Sequence, residues 1–147
     1  EQPGQNEKDR LILVTGATGY IGGRLVPRLL ELGYRIRCLV RDPAPLQGYS
    51  WHNAVEIVPG DVLQPDSLAP AMQGVSAAYY LIHSMSAGSD FHQLDLVAAR
   101  NFGTAALASG VGRIIFWADW LEPHPICQNT CALACKREIR CGVLASR

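Results

Sequence analysis

The sequence has no charge of either sign to spare: 13 lysines and arginines stand against 13 aspartates and glutamates, for a formal net charge of zero. A chain that binds nucleic acid or another polyanion usually carries a basic surplus, so no such partner is expected. No apolar run approaches the roughly 20 residues that a membrane helix needs, and no membrane partner is expected either. Residues 1–10, EQPGQNEKDR, lack the apolar centre of a signal peptide. Residues 1–9 therefore read as a disordered lead-in, and the chain as a cytoplasmic protein. Cysteine is scarce until the end: Cys38 stands alone, and the other four (Cys127, Cys131, Cys135 and Cys141) fall in the last 21 residues. Beyond Tyr80 there is no tyrosine at all.

What is present alternates. Residues 10–16, RLILVTG, form a short apolar run ending at glycine, the pattern of a buried parallel strand. From Tyr20 the spacing changes: Ile21, Leu25, Leu29 and Leu32 predict a helix face that Gly33 ends, with Pro27 inside it costing one hydrogen bond and a slight kink. A second strand is expected over 34–40, and RDPAPLQGYSWHN after it reads as a loop. A third strand is expected over 55–62. The helix that follows is capped by Asp66 or Ser67 and has Leu68, Met72 and Val75 on one face. A fourth strand over 76–84 precedes a helix over 90–111 with Phe91, Leu94, Val97 or Ala98, Phe102 and Ala105 at helical spacing. A fifth strand covers 112–117. Strands alternating with helices in this order define an α/β domain: a parallel sheet of about five strands, right-handed crossovers and helices on both faces. The ligand crevice of such a sheet lies at the carboxyl ends of its strands, where strand order reverses.

Between the first strand and the first helix stands VTGATGYIGG, with the spacing Gly16-x-x-Gly19-x-x-Gly22. Gly16 lets the chain turn tightly off the strand. Gly19 lets backbone approach a pyrophosphate where a Cβ would collide, and Gly22 lets helix and strand pack closely. The helix N-terminus then offers free amides and a partial positive charge to phosphates. Thr15, Thr18 and the amides of Tyr20 and Ile21 are further candidate donors. A bare glycine triplet is weak evidence; a strand before it and a helix after it make it a dinucleotide-binding signature. The tip of the second strand selects the cofactor, because an acid there bonds the ribose 2′-hydroxyl of NAD and an arginine accommodates the 2′-phosphate of NADP. Here Arg41 takes the tip with Arg37 as a helper behind it, which favours NADP. In the rival reading Asp42 reaches the ribose and the cofactor is NAD.

LVTGATGYIGGRLVPRLLELGYRIRCLVRDP, GDV, AAYYLIHSM and AARNFGTAALASGVGRII together resemble the NmrA-like, atypical branch of the extended short-chain dehydrogenases/reductases. The similarity runs from about residue 10 to Phe116. It implies a Rossmann-like three-layer sandwich that binds NAD(P), with residues 10–116 as the cofactor domain and 117–147 as a tail outside the family. By this resemblance Asp61 and the Val62 backbone contact adenine. Leu81, Ile82 and His83 lie along the ribose and nicotinamide side, His83 as a cofactor contact ahead of acid–base work. Asn101 supports the central strands. His52, His92 and His124 have no such constellation and read as surface groups.

The resemblance also marks departures. The wider superfamily pairs a tyrosine with a lysine four residues on, the lysine lowering the pKa of the hydroxyl that trades a proton with substrate. Lys136 has Ala132 in that place, so no such dyad exists, and no catalytic residue is assigned. The tail departs further. Where relatives continue with a segment like LGGL followed by LSEHL, this chain has WADWLEPHPICQNTCALACKREIRC. Tryptophan is encoded only by TGG, so joining the last base of the Phe116 codon to the TG of Trp117 forces Leu, then Gly. Asp119 and Trp120 give Leu again, and residues 126–131 can give Leu-Ser-Glu-His-Leu in the same frame. The tail from about residue 117 therefore reads as a frameshift, in the gene or in the gene model, and the coding DNA decides it. The cysteine spacing C-x3-C-x3-C-x5-C lacks the C-x2-C pairs of thiolate sites, and no metal is expected. On this reading the domain is truncated, and apolar sheet surface left uncovered beyond the fifth strand favours self-association. Three readings remain open: the cofactor-binding part of an NAD(P)H-dependent oxidoreductase acting on an unidentified small molecule, an NmrA-like regulator that senses the dinucleotide without turning it over, or a truncated inactive product.

Overall fold

In a computed structural model the chain is described over residues 9–82, 89–117 and 140–144. The elements run β1 (Leu11–Thr15), α1 (Tyr20–Glu31), β2 (Arg35–Val40), β3 (Glu56–Pro59), α2 (Pro65–Met72), β4 (Val75–Tyr80), α3 (Ser89–Ala108), β5 (Arg113–Trp117) and β6 (Arg140–Leu144). The sheet order is β3-β2-β1-β4-β5-β6, and every neighbouring pair is parallel. The Rossmann-like α/β class expected from sequence is the class observed, with one strand more. Residues 140–144, assigned to a tail outside the family, pair with β5 in register from Arg113↔Arg140 to Trp117↔Leu144. The expected bare sheet face beyond β5 depends on residues 118–139, outside the described ones.

β1 is the sheet's centre, and all five of its residues are buried because both faces are covered. One face carries Ile12, Val14, Ile36, Cys38 and Val40 against Val26 and Leu29 of α1. The other carries Leu11, Leu13, Leu39 and Ala78 against α2 and α3, with Phe102 fully buried and its ring 5.0 Å from that of Tyr80. Alternate residues of one strand thus feed two cores, as the two-residue period of a strand requires.

Two helix faces differ from those expected. α1 buries Gly22, Val26 and Leu29, while Leu32 is exposed. The face is rotated because Gly22 must press against the glycine turn. The helix runs on through Pro27. α3 buries Ala98, Ala99, Phe102 and Ala106, whereas Leu94 and Val97 are each 46% exposed. The alanines let the helix axis lie close to the sheet, and that close approach turns the larger side chains outward. α2 starts without a side-chain cap. The Ser67 hydroxyl accepts instead from the Asp61 amide at 2.9 Å and reaches back to the Gln64 carbonyl at 2.7 Å. No helix among the described residues is long and apolar enough to cross a membrane.

Candidate functional site

Strand order reverses between β1 and β4, and a cleft of about 560 Å³ opens there at the carboxyl ends of the strands. Gly16, Thr18 and Gly19 of the glycine turn line it, as do Arg41 at the tip of β2, Asp61 and Val62 after β3, and Leu81 and Ile82 after β4. These eight residues, singled out from sequence, therefore meet in one cleft.

The glycine turn is as tight at Gly16 as its spacing predicts, while Gly22 packs differently. Gly16 has φ 72°, a left-handed conformation, and a Cβ on it would lie 2.9 Å from the Leu81 carbonyl oxygen. A Cβ on Gly22 would collide with the Gly16 carbonyl and come within 2.7 Å of the Ala17 Cα. Gly22 thus packs the helix onto the turn itself rather than onto the strand. The Gly19 amide donates back to the Gly16 carbonyl at 3.0 Å and closes the turn. At the start of α1 the amides of Tyr20, Ile21 and Gly22 have no intrahelical acceptor, and no side chain caps them. They form a cradle of unpaired donors at a helix N-terminus, the arrangement that receives phosphate. Tyr20 offers only its backbone: its ring is 75% exposed, with the Arg24 guanidinium 4.4 Å from its centroid.

Two candidate donors are occupied otherwise. Thr15 is fully buried, and its hydroxyl donates to the Tyr79 carbonyl at 3.1 Å while accepting from the Leu81 amide at 3.3 Å. It ties β1 to β4 at the reversal point and is turned away from phosphate. Arg37 is not a helper for Arg41. Its guanidinium pairs with Glu56 at 2.8 Å and donates to the carbonyls of Ala71 and Gln73 at 2.9 and 2.7 Å. It therefore fastens β3 and the end of α2 to β2. The Arg37 hydrogen bond, against a smaller cost of burial, holds the Glu56 carboxyl below the usual glutamate range.

Arg41 itself is exposed at the cleft edge. Asp42 beside it also lines the cleft, but its Oδ1 accepts from the Ala44 amide at 2.9 Å and shapes the loop. Across the cleft, Asp61 uses Oδ1 to accept from the Leu63 amide at 2.9 Å. Asn101 Nδ2 donates to the Val62 carbonyl at 3.0 Å, in the loop that follows β3. Leu94, Asp95 and Ala98 of α3 complete the wall beside Leu63. Leu94 and Ala98 were expected on the face of this helix, but none of the three was expected in the cleft. His83 and His124 lie outside the described residues, as does the side chain of His92. His52 is half-buried, its Nδ1 2.8 Å from the Tyr49 carbonyl. Among the described residues no His, Cys, Asp or Glu cluster could hold a metal.

Glycines that a Cβ would displace, unpaired helix amides and a cleft at the reversal point fit a dinucleotide, and define a dinucleotide-binding domain of the Rossmann class. The chain belongs to the NAD(P)H-binding family, whose profile matches residues 16–119. It is 30% identical over 125 residues to cinnamoyl-CoA reductase 1 of Oryza sativa subsp. japonica, covering 81% of this chain and 37% of that one. It is 34% identical over 110 residues to photosystem II assembly factor Ycf39 of Cyanophora paradoxa, covering 73% of this chain and 33% of that one. Triphenylmethane reductase of Citrobacter sp., solved as a complex with NADP(H), superposes with a TM-score of 0.64 at 27% identity, over 86% of this chain and 45% of that one. The chain thus spans about a third of the length of these curated relatives.

Proposed function

We propose that the chain is the NADP-binding part of an NAD(P)H-dependent oxidoreductase that works in the cytoplasm on a small molecule. The observation that carries this reading is the placing of Arg41: it shares one cleft with the glycine turn, while its neighbour Asp42 is engaged in its own loop. A guanidinium in that place suits a 2′-phosphate better than a ribose hydroxyl. The pyrophosphate is assigned to Gly16, Thr18, Gly19 and Gly22 with the amides of Tyr20 and Ile21. Adenine is assigned to Asp61 and Val62. The ribose and nicotinamide side is assigned to Leu81, Ile82 and His83. When bound, the nicotinamide would supply the hydride; this chain's residues bind and orient it.

A second reading is a dinucleotide-sensing regulator without turnover. Among the described residues, those that line the cleft include neither a tyrosine nor a lysine, which favours it. Among the relatives one is named a reductase and another an assembly factor. Fluorescence titration with NADPH and NADH, repeated on Arg41→Ala, tests the shared premise. Tighter NADPH binding that the substitution abolishes is expected, and no binding of either nucleotide at millimolar levels would reject it. NADPH oxidation against a panel of carbonyl compounds then separates enzyme from sensor.

A further inference from the structure

The stretch between β2 and β3 reads from sequence as an open loop, yet it is folded onto the domain. Leu46 is fully buried and Trp51 nearly so. Two short 3-10 turns, Ala44–Gly48 and His52–Ala54, give it shape, and Tyr49 stands between them. The Tyr49 ring stacks on Trp51 with centroids 4.7 Å apart. It also lies against α1, where a Cβ on Gly23 would come within 3.0 Å of the ring. Its hydroxyl donates to the Thr18 carbonyl at 3.1 Å. Thr18 belongs to one wall of the cleft; Arg41, Asp42 and Pro45 belong to the other. The hydroxyl therefore bridges from the loop that carries Arg41 to the turn that carries the glycines.

We propose that Tyr49 is a positioning residue for 2′-phosphate recognition: its hydroxyl latches the Arg41–Pro45 arm to the glycine turn. The reason is entropic. Arg41 is a long, exposed side chain on a loop, and a charge that must be ordered only when ligand arrives binds weakly. Fixing the backbone beneath it fixes the spacing between the guanidinium and the pyrophosphate cradle, the two groups that on this proposal hold the 2′- and 5′-phosphates of an adenosine 2′,5′-bisphosphate unit. The Trp51 stack and the buried Leu46 side chain hold the arm from below, and the Tyr49 hydroxyl sets where it docks. A ligand without the 2′-phosphate uses the turn and the base wall but not the arm, so the latch affects it little. The proposal rests on the reading of Arg41 as the 2′-phosphate partner.

The test is calorimetric titration of the full 147-residue chain with adenosine 2′,5′-bisphosphate and with 5′-AMP. Wild type is expected to prefer the bisphosphate, and Arg41→Ala to lose that preference. Tyr49→Phe keeps the ring and its stacking. It is expected to weaken bisphosphate binding roughly three- to tenfold, the range of one hydrogen bond, and 5′-AMP binding by less than about twofold. Gly23→Ala, which pushes on the same ring from α1 and leaves the loop's own residues unchanged, is expected to reproduce the effect and stands in if Tyr49→Phe does not fold. Equal weakening of both ligands, or of neither, would overturn the role of Tyr49 while leaving that of Arg41 standing. A wild type with no preference for the bisphosphate would overturn the reading of Arg41, and the proposal with it.

Discussion

Asn101 Nδ2 donates to the Val62 carbonyl at 3.0 Å, and this bond ties helix α3 to the loop that follows β3. The loop carries Asp61, and α3 carries Leu94, Asp95 and Ala98, so the bond joins two sides of the same cleft wall. Asn101→Ala leaves the carbonyl of a nearly buried Val62 without its donor. A loss of about 1–2 kcal/mol in stability is expected, read as a lower urea midpoint at unchanged slope. Nucleotide affinity should fall with it, because the Asp61–Leu63 segment slackens. A variant that melts and binds like wild type would show that the wall is held by packing alone.

Thr15 makes a sharper case, since its hydroxyl serves both strands at the reversal point. Thr15→Val keeps shape and volume but removes the buried hydroxyl's bonds to the Tyr79 carbonyl and the Leu81 amide. A cost of about 1–3 kcal/mol is expected, with Thr15→Ser milder because the hydroxyl survives. Amide exchange localises the effect. Leu81 should lose protection in the valine variant, and uniform loss along the chain would argue against a local role.

Much of this was legible in the sequence because the signals are local. A glycine that needs φ 72° and one that admits no Cβ declare themselves by spacing, and Arg41 sits at a strand tip that any parallel strand would offer. What was missed depends on partners distant in the chain. Arg37 alternates outward on β2 like a free cation, yet its acceptors come from β3 and from the end of α2. Thr15 looks like a phosphate donor until β4 is laid beside it. Tyr49 and Leu46 read as loop residues because their burial comes from α1 and β2, not from periodicity of their own. Residues 140–144 carry no family signal, yet pair with β5. Coding DNA that spells LGGL and LSEHL in the shifted frame would still assign the tail to a frameshift.

The Arg37–Glu56 pair predicts a pH dependence. Glu56 is held below its ordinary value of 4.5, first by the Arg37 hydrogen bond. A carboxyl whose folded pKa is depressed binds its proton more weakly folded than unfolded. Its contribution to stability is therefore complete above about pH 4.5 and lost as pH falls through the lower folded value. Glu56→Gln should narrow the stability gap to wild type on acidification, from a full difference at neutral pH to little below that window. Because Glu56 is 42% exposed, the neutral-pH difference is expected to be modest and to shrink with salt. Chemical melts of both proteins from pH 7 to 3 check it. A gap constant across that range would mean that the pair adds geometry but no net charge stabilisation.

Gly22→Ala separates binding from folding least cleanly, and is informative for that reason. One methyl there collides with the Gly16 carbonyl and crowds the Ala17 Cα, both backbone atoms of the turn that receives phosphate. Rotating a side chain cannot relieve this, so either α1 lifts off the turn or the turn changes shape. Higher helix propensity gives alanine about 1 kcal/mol over glycine inside a helix. Backbone overlap of this kind is expected to outweigh that gain, leaving a net loss of about 1–3 kcal/mol. Gly23→Ala, one residue on, meets first the Tyr49 side chain, at 3.0 Å, and should be nearly neutral for folding because that side chain can give. Thermal melts of the pair check the contrast directly. Equal melting temperatures for the two variants would mean that the turn yields to the methyl, and that its fit against α1 is looser than the close approach of Gly22 implies.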